Sequence, residues 1–114
     1  MNNFNGKTAV ITGAASGIGF ALAKHAAAQG MSLVLADIDE AALQAAAEQL
    51  SLPADRVLAL RTDVRHAAEI KALADAAYVK FNQVHLLFNN AGVALARTTW
   101  EHTVADWEWI LQVN

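Results

Sequence analysis

The sequence predicts an α/β fold: a doubly wound parallel sheet with helices on both faces and strand order 3-2-1-4. Four short apolar runs recur about every two dozen residues, and a segment with helical periodicity follows each, as in repeated βαβ units. The runs do not alternate polar with apolar residues, as expected for strands covered by helices on both faces. The four predicted strands are Thr8–Thr12, Ser32–Ala36, Arg56–Leu60 and Val84–Phe88.

The segments between these runs have the pattern of helices with one apolar face to bury. The second helix is expected to begin near Asp39 and Glu40, because acidic side chains suit the positive end of the helix dipole. Gly30 follows the first helix as a C′ glycine would, and Pro53 lies in the loop after the second helix. The predicted apolar stripes are Leu43, Ala46, Ala47 and Leu50 on the second helix, and Ile70, Leu73, Ala74, Ala77 and Phe81 on the third.

Composition and charge exclude several classes of protein. The chain has 114 residues, 55% hydrophobic and 17% charged, which fits one globular domain and excludes a disordered chain. A formal charge of −3 leaves no basic surface for a nucleic acid. The sequence has no cysteine, which excludes disulfides, thiolate nucleophiles and sulfur-based zinc sites. With no signal peptide and no apolar run long enough for a membrane span, we expect a soluble, cytoplasmic protein.

The four histidines are interpreted as surface or packing residues. They fall on separate predicted elements, without the His, Asp and Glu spacing of a metal site, so we expect no metal. They are His25, His66, His85 and His102.

Three glycines follow the first predicted strand in the segment Thr12–Gly19, which reads T-G-A-A-S-G-I-G. Gly13 can adopt a backbone angle closed to other residues, Gly17 lets backbone approach a ligand's pyrophosphate, and Gly19 lets the helix pack closely. Free amide groups at the start of the helix would then face the anion. The alternative is a tight turn in which Ser16 acts only as the helix N-cap. The loop lacks the Gly-Lys-Ser/Thr ending of a P-loop.

The pattern T-G-x-x-x-G-x-G resembles that of the short-chain dehydrogenase/reductase family. Three further segments occur in the matching order: Asp63-Val64 after the third strand, Asn89–Gly92 after the fourth, and Asn114 on the last helix. The resemblance implies an NAD(P)-dependent oxidoreductase that interconverts an alcohol and a ketone by hydride transfer. It also implies a small-molecule alcohol or carbonyl substrate and a homodimer or homotetramer. Residues 1–114 are interpreted as a Rossmann-like, NAD(P)-binding domain that is incomplete at its C-terminus.

The resemblance assigns roles to individual positions. The Asp63 side chain and the Val64 backbone would contact adenine, and Asn114 would hold a water in the proton relay, which makes it the candidate catalytic residue. The predicted cofactor-binding residues are Gly13, Ser16, Gly17, Ile18, Gly19, Asp37, Ile38, Asp63, Val64, Asn90, Ala91 and Gly92.

Asp37 predicts a preference for NAD over NADP. It ends the second strand, about 20 residues after the glycine loop, and an ionised carboxylate can accept both hydroxyls of an adenosine ribose. A 2′-phosphate would meet a like charge there. Neither Ser16, Ile38 nor Asp39 supplies the Arg or Lys found in relatives that prefer NADP.

Simpler alternatives remain open for each of these positions. The role of Asp37 or Asp39 could be limited to capping the second helix, and that of Asp63 to capping the third. Asn89–Gly92 could be an ordinary turn. Asn114 could simply end the last predicted helix, which opens with the capping box Thr103–Asp106. That helix presents Trp107, Ile110 and Leu111 on one face.

The residues that would donate a proton in the resembled family are not found in these 114 residues. No serine follows Ser51, and Tyr78 has Asn82 rather than a lysine four positions later. We therefore expect cofactor binding but no activity from this stretch alone, and a longer parent enzyme. A non-catalytic dinucleotide-sensing or regulatory module is the alternative. A methyltransferase that binds S-adenosylmethionine is weaker, because it leaves Asn89–Gly92 unexplained.

Overall fold

The computed structural model describes residues 3–91, which form a four-stranded sheet with three α-helices. A short 3-10 turn, Ala54–Arg56, precedes the third strand. The predicted last helix, residues 103–114, lies outside the described residues. In chain order the elements are β1 (Thr8–Thr12), α1 (Gly17–Ala28), β2 (Ser32–Asp37), α2 (Glu40–Leu50), β3 (Val57–Arg61), α3 (Ala67–Phe81) and β4 (Leu86–Phe88).

The sheet is parallel throughout, with the order β3-β2-β1-β4, which confirms the predicted topology. In the register of the sheet, Ala9 lies opposite Leu33 on one side and Leu86 on the other. All four strands therefore end at the same edge, where parallel α/β sheets place their ligands. Among residues 3–91, β4 pairs with β1 alone, and Leu87 is exposed.

The bounds of three strands differ from the sequence prediction: β2 ends at Asp37 rather than Ala36, β3 is Val57–Arg61 rather than Arg56–Leu60, and β4 begins at Leu86 rather than Val84. Arg56 precedes β3 because it ends the 3-10 turn, in which its amide donates to the Pro53 carbonyl at 2.9 Å. Its Nη2 donates to the carbonyl oxygens of Met31 at 2.8 Å and Ala27 at 3.4 Å, which joins this turn to the end of α1 and to the residue before β2. Val84 and His85 precede β4.

The core has two layers, one on each face of the sheet, because alternate residues of each strand point to opposite faces. The α1 and α2 side holds Ala9, Ile11, Leu33 and Leu35 against Ala23, Ala26 and Leu43. The α3 side holds Val10, Val34 and Ala36 against Leu73 and Ala77. The central strands are consequently buried on both faces, as the lack of alternation predicted.

The predicted apolar stripe of α3 is only partly buried. Leu73 and Ala77 are buried and Phe81 is half-buried, but Ile70 and Ala74 are exposed. Within the described residues, Ile70 and Ala74 line a groove between α3 and the β1–β4 side of the sheet.

No helix within residues 3–91 has the length and apolar character needed to cross a bilayer.

A histidine secures the start of the central strand. The Thr8 amide donates to Nδ1 of His85 at 2.9 Å, and the His85 amide donates to the Thr8 carbonyl at 2.9 Å. Because Nδ1 accepts, Nε2 carries the proton and can donate to Oε1 of Gln83 at 3.1 Å. The imidazole therefore satisfies a backbone amide of a residue that is buried.

His85→Ala is expected to lower the free energy of unfolding by about 1–2 kcal/mol, because it leaves the buried Thr8 amide without its acceptor. Urea denaturation at pH 8 measures the effect. The matched control is His25→Ala on an exposed face of α1, for which a change within about 0.5 kcal/mol is expected. Equal losses from the two variants would show that the Thr8 contact contributes nothing specific.

Candidate functional site

The glycine loop between β1 and α1 has the backbone conformation that its sequence predicted. Gly13 and Gly17 have positive φ angles of +65° and +57°, which side-chain-bearing residues rarely adopt. A Cβ at Gly17 would meet nothing within 4 Å, so the space above this residue is open to a ligand. At Gly13 a Cβ would instead crowd Asn90 and Ala91.

Gly19 is required for packing rather than for its backbone angle. A Cβ at this buried position would overlap the carbonyl group of Gly13 and press on the Asn90 side-chain amide. The first turn of α1 can therefore lie against the loop only if this residue lacks a side chain. The sequence predicted a close approach of helix and strand at Gly19. In the structure Gly19 approaches Gly13, the residue that follows β1.

Ser16 lies at the N-cap position of α1, but its side chain makes no capping hydrogen bond. The first turn of the helix contains no acidic residue. The positive end of the helix dipole is therefore not neutralised by side chains of the first turn, and the first amide groups have no partner within the helix. Ser16 thus takes the N-cap position that the alternative predicted, but its hydroxyl does not bond the helix backbone.

Asp37 and Asp39 have separate roles. Asp39 caps α2, since its Oδ1 accepts from the Ala42 amide at 3.1 Å. Asp37 contacts the glycine loop instead: its Oδ2 accepts from the Ala15 amide at 3.0 Å, and its Oδ1 accepts from the Asp39 amide at 3.1 Å. Because a carboxylate oxygen has two lone pairs, each oxygen of Asp37 can accept one further hydrogen bond.

The alternative in which Asp63 caps α3 is wrong, because His66 is the N-cap residue. The helix begins after His66, and Asp63 lies buried after β3. Its carboxylate accepts three hydrogen bonds from the Arg65 side chain, of which the shortest joins Nη2 to Oδ2 at 2.7 Å. These hydrogen bonds, reinforced by the charge of Arg65, hold the pKa of Asp63 well below its usual range despite burial.

The prediction that no histidine lies at ligand spacing from acidic residues is wrong for His66. Asp63, His66 and Glu69 bring one ligand atom each within 4.8 Å of one another, because the turn before α3 folds them together. The two carboxylates are already engaged by Arg65 and Arg61, at 2.7 and 3.2 Å. Because two guanidinium groups lie beside these oxygens, the cluster fits ion pairing with arginine better than binding of a metal cation.

Thr12 and Asn90 join the carboxyl ends of β1 and β4. The Thr12 hydroxyl accepts from the amides of Asn90 at 3.1 Å and Ala91 at 3.0 Å. The Asn90 side chain donates to the carbonyls of Thr12 at 3.3 Å and Gly13 at 3.4 Å. Asn90 is therefore more than a turn residue, because it ties its own strand to the glycine loop.

Asn90 is among the site residues predicted from the sequence, whereas Thr12, which is 3% exposed, is not. The available signal was a hydroxyl residue at the end of a buried strand, directly before Gly13. Such a side chain must find hydrogen-bond partners when it is buried. Its partners come from a segment 78 residues further along the chain, which local sequence does not reveal.

The structure brings the predicted site residues within residues 3–91 to the loops at the carboxyl edge of the sheet. Ile18 and Ile38 are 74% and 50% exposed there, so the edge also offers aliphatic surface. Gly92 and Asn114 lie outside the described residues. The residues placed at this edge are Gly13, Ser16, Gly17, Ile18, Gly19, Asp37, Ile38, Asp63, Val64, Asn90 and Ala91.

Fold and site together define a doubly wound α/β protein with its polar loops gathered at one sheet edge. The sequence model of the short chain dehydrogenase family matches residues 7–114. The chain belongs to this family of oxidoreductases.

Similar proteins include enzymes and solved structures. A CLA biosynthesis dehydrogenase/reductase of Lactiplantibacillus plantarum is 40% identical over 114 residues, covering 100% of this chain and 40% of the relative. A short chain dehydrogenase/reductase from Burkholderia phymatum in complex with NAD is 50% identical, with a TM-score of 0.94 over 99% of this chain and 40% of the other. A 3-ketoacyl-(acyl-carrier-protein) reductase from Brucella melitensis complexed with NADH is 33% identical, with a TM-score of 0.90 over 97% of this chain and 45% of the other. The chain thus spans less than half the length of these proteins.

Thr12→Val is expected to destabilise the protein by about 2–3 kcal/mol, because two backbone amides at the end of β4 lose their acceptor while shape is kept. Thr12→Ser is the matched control: it retains the hydroxyl and should cost about 1 kcal/mol for the lost methyl group. Chemical denaturation of both variants measures the difference. A serine variant as unstable as the valine variant would contradict the assigned hydrogen bonds.

Asp63 predicts a specific pH dependence of stability. Because its pKa is lower in the folded than in the unfolded protein, the stabilisation is fully present above the ordinary carboxyl pKa of about 3.9. It is lost as pH falls from that value towards the lowered pKa of the folded state. Asp63→Asn should therefore cost about 1–2 kcal/mol at pH 7 and progressively less below about pH 4, in unfolding measurements across this range. A gap that stays constant with pH would contradict the assignment.

Proposed function

We propose that residues 1–114 form the NAD-binding domain of an oxidoreductase that interconverts an alcohol and a ketone by hydride transfer, and that residues beyond this stretch complete the domain. The observation that carries the proposal is the pairing of an open glycine loop with a carboxylate held against it. Gly17 leaves the start of α1 accessible, and Asp37 bonds the Ala15 amide of the same loop at 3.0 Å. The NAD and NADH complexes of similar proteins support this assignment.

The start of α1 fits the diphosphate of a dinucleotide. Amide groups at a helix N-terminus carry partial positive charge and lack partners within the helix, so they bind anions. The Ser16 hydroxyl is exposed and not used for capping, so it can add a further hydrogen bond. The lack of a side chain at Gly17 lets phosphate oxygens approach the backbone directly.

Asp37 fits the adenosine ribose of NAD better than that of NADP. One free acceptor position on each oxygen matches the two ribose hydroxyls, whereas a 2′-phosphate would face a like charge. Arg61 lies opposite Asp37 in the sheet, but its guanidinium donates to Glu69 at 3.2 Å and to the Ile38 carbonyl at 3.2 Å. The nearest described arginine is thus already engaged, which supports the proposed preference for NAD.

The remaining assignments complete the proposal. Asp63 and Val64 contact adenine, while Asn90, Ala91 and Gly92 line the cofactor and Asn114 holds a water of the proton relay. NAD, when bound, supplies the hydride acceptor, and a general acid or base must move the accompanying proton.

Tyr78 does not fit the role of that acid or base, since Asn82 occupies the position of the required lysine. We therefore assign the proton donor to residues beyond this stretch and propose that the stretch alone is inactive. A cytoplasmic homodimer or homotetramer, acting on a small alcohol or carbonyl compound, completes the assignment.

Calorimetric titration of the protein with NAD and with NADP tests the proposal. NAD is expected to bind with a dissociation constant at least about tenfold lower than that of NADP, because the phosphate meets the Asp37 carboxylate. Asp37→Arg should reverse the order of the two affinities. Asp39→Asn is the matched control, because it removes a neighbouring charge that caps α2 and should leave the order unchanged. Tighter binding of NADP would contradict the preference, and heat from neither dinucleotide would overturn the proposed function.

A further inference from the structure

The Asp63 carboxylate is held by an unusually complete set of donors. Its side chain is 5% exposed, and that of Arg65 is 33% exposed. Oδ1 accepts from the amide and the Nε of Arg65, both at 3.0 Å. Oδ2 accepts from the Arg65 Nη2 at 2.7 Å and Nε at 3.2 Å, and it lies 3.3 Å from Nε2 of His66. A single residue thus fixes both oxygens through its backbone and its guanidinium.

One acceptor position of this carboxylate is weakly held. A carboxylate offers about four lone-pair positions, and Arg65 takes three of them through its amide, Nε and Nη2. The fourth, on Oδ2, receives only two longer contacts: the Nε of Arg65 at 3.2 Å, whose hydrogen is shared with Oδ1, and Nε2 of His66 at 3.3 Å, on a side chain that is 58% exposed. A ligand that donates a hydrogen bond can take this position if the imidazole turns into solvent.

A second set of contacts ties the Asp63 backbone to the position next to Asp37. Glu69 Oε1 accepts from the Asp63 amide at 3.0 Å and from Arg61 at 3.2 Å. Arg61 in turn donates to the Ile38 carbonyl at 3.2 Å. The backbone next to Asp37 and the backbone of Asp63 are therefore held by one connected set of hydrogen bonds.

We propose that Arg65 is a positioning residue: it fixes the Asp63 carboxylate as the acceptor for the exocyclic amino group of adenine and thereby selects 6-aminopurine over 6-oxopurine dinucleotides. This inference rests on the proposed dinucleotide function. An ionised carboxylate only accepts hydrogen bonds, so it binds an amino group and repels the lone pairs of an oxo group. Arg65 keeps the carboxylate ionised and prevents its rotation, because its planar group bonds both oxygens.

The test compares NAD with nicotinamide hypoxanthine dinucleotide, in which an oxo group replaces the amino group. Their ratio of dissociation constants cancels every contribution from the diphosphate, ribose and nicotinamide. The unaltered protein is expected to favour NAD by about tenfold, the effect of one charge-assisted hydrogen bond. Arg65→Gln should reduce this preference to about twofold or less, and Arg65→Lys should restore part of it, because lysine keeps the charge but not the paired geometry.

Two further variants separate positioning from general damage to the fold. Lys71→Gln removes a positive charge from α3 that pairs with Asp75 at 2.9 Å, away from Asp63, and should leave the preference at about tenfold. Asp63→Asn should abolish the preference by itself, and Arg65→Gln should then change nothing more, because the arginine acts through the carboxylate. Circular dichroism and saturation by NAD confirm that each variant is folded.

The outcomes distinguish the two proposals. If the unaltered protein binds neither dinucleotide, the proposed function fails, and this inference fails with it. If the unaltered protein binds both dinucleotides equally, or if Arg65→Gln keeps the full preference for NAD, the dinucleotide site stands and the role of Arg65 is overturned. The same conclusion follows if Arg65→Gln lowers the preference equally with and without Asp63.

Discussion

The hydrogen bonds between Thr12 and the Asn90 segment are the constraint on which the rest of the site depends. A parallel sheet holds its strands side by side, but its ladder ends where the strands end, and the loops beyond need their own connections. Here the Thr12 hydroxyl receives two amides, and the Asn90 side chain returns two hydrogen bonds to the backbone at the start of the glycine loop. These hydrogen bonds fix the start of the glycine loop, and the open conformation at Gly17 follows from that fixed start.

The connections continue across the sheet towards β3. Asp37 bonds the glycine loop from β2, Arg61 bonds the loop after β2 from β3, and Glu69 links Arg61 to the amide of Asp63. Each strand end is thus bonded to the next by a polar side chain. Because preorganised groups lose little freedom on binding, such a network favours recognition of a ligand that spans the whole edge.

Much of this fold could be predicted from the sequence, because its signals are local. Unbroken apolar runs identified strands buried on both faces, and the glycines of the loop fitted the two positive φ angles and the close helix contact that the structure shows. The separate roles of Asp37 and Asp39 could not be predicted. Both carboxylates stand near the start of α2, and only the position of the Ala15 amide, 22 residues away, distinguishes them. Thr12 and His85 were missed for a similar reason: their hydrogen-bond partners lie 78 and 77 residues away in the chain. Ile70 and Ala74 belong to the predicted apolar stripe of α3 but are exposed. The spacing of apolar residues predicts which face of a helix is apolar, but it does not predict what packs against that face.

The bond between Asp37 and the Ala15 amide has a consequence for redesigning cofactor use. The same carboxylate proposed to discriminate between coenzymes also restrains the main chain beneath the phosphates. An exchange at this one position therefore changes two properties together: the selectivity shifts, and the affinity for both coenzymes falls because the loop loses an acceptor. A successful redesign would first provide the loop with a substitute acceptor, and only then introduce a cation for the additional phosphate.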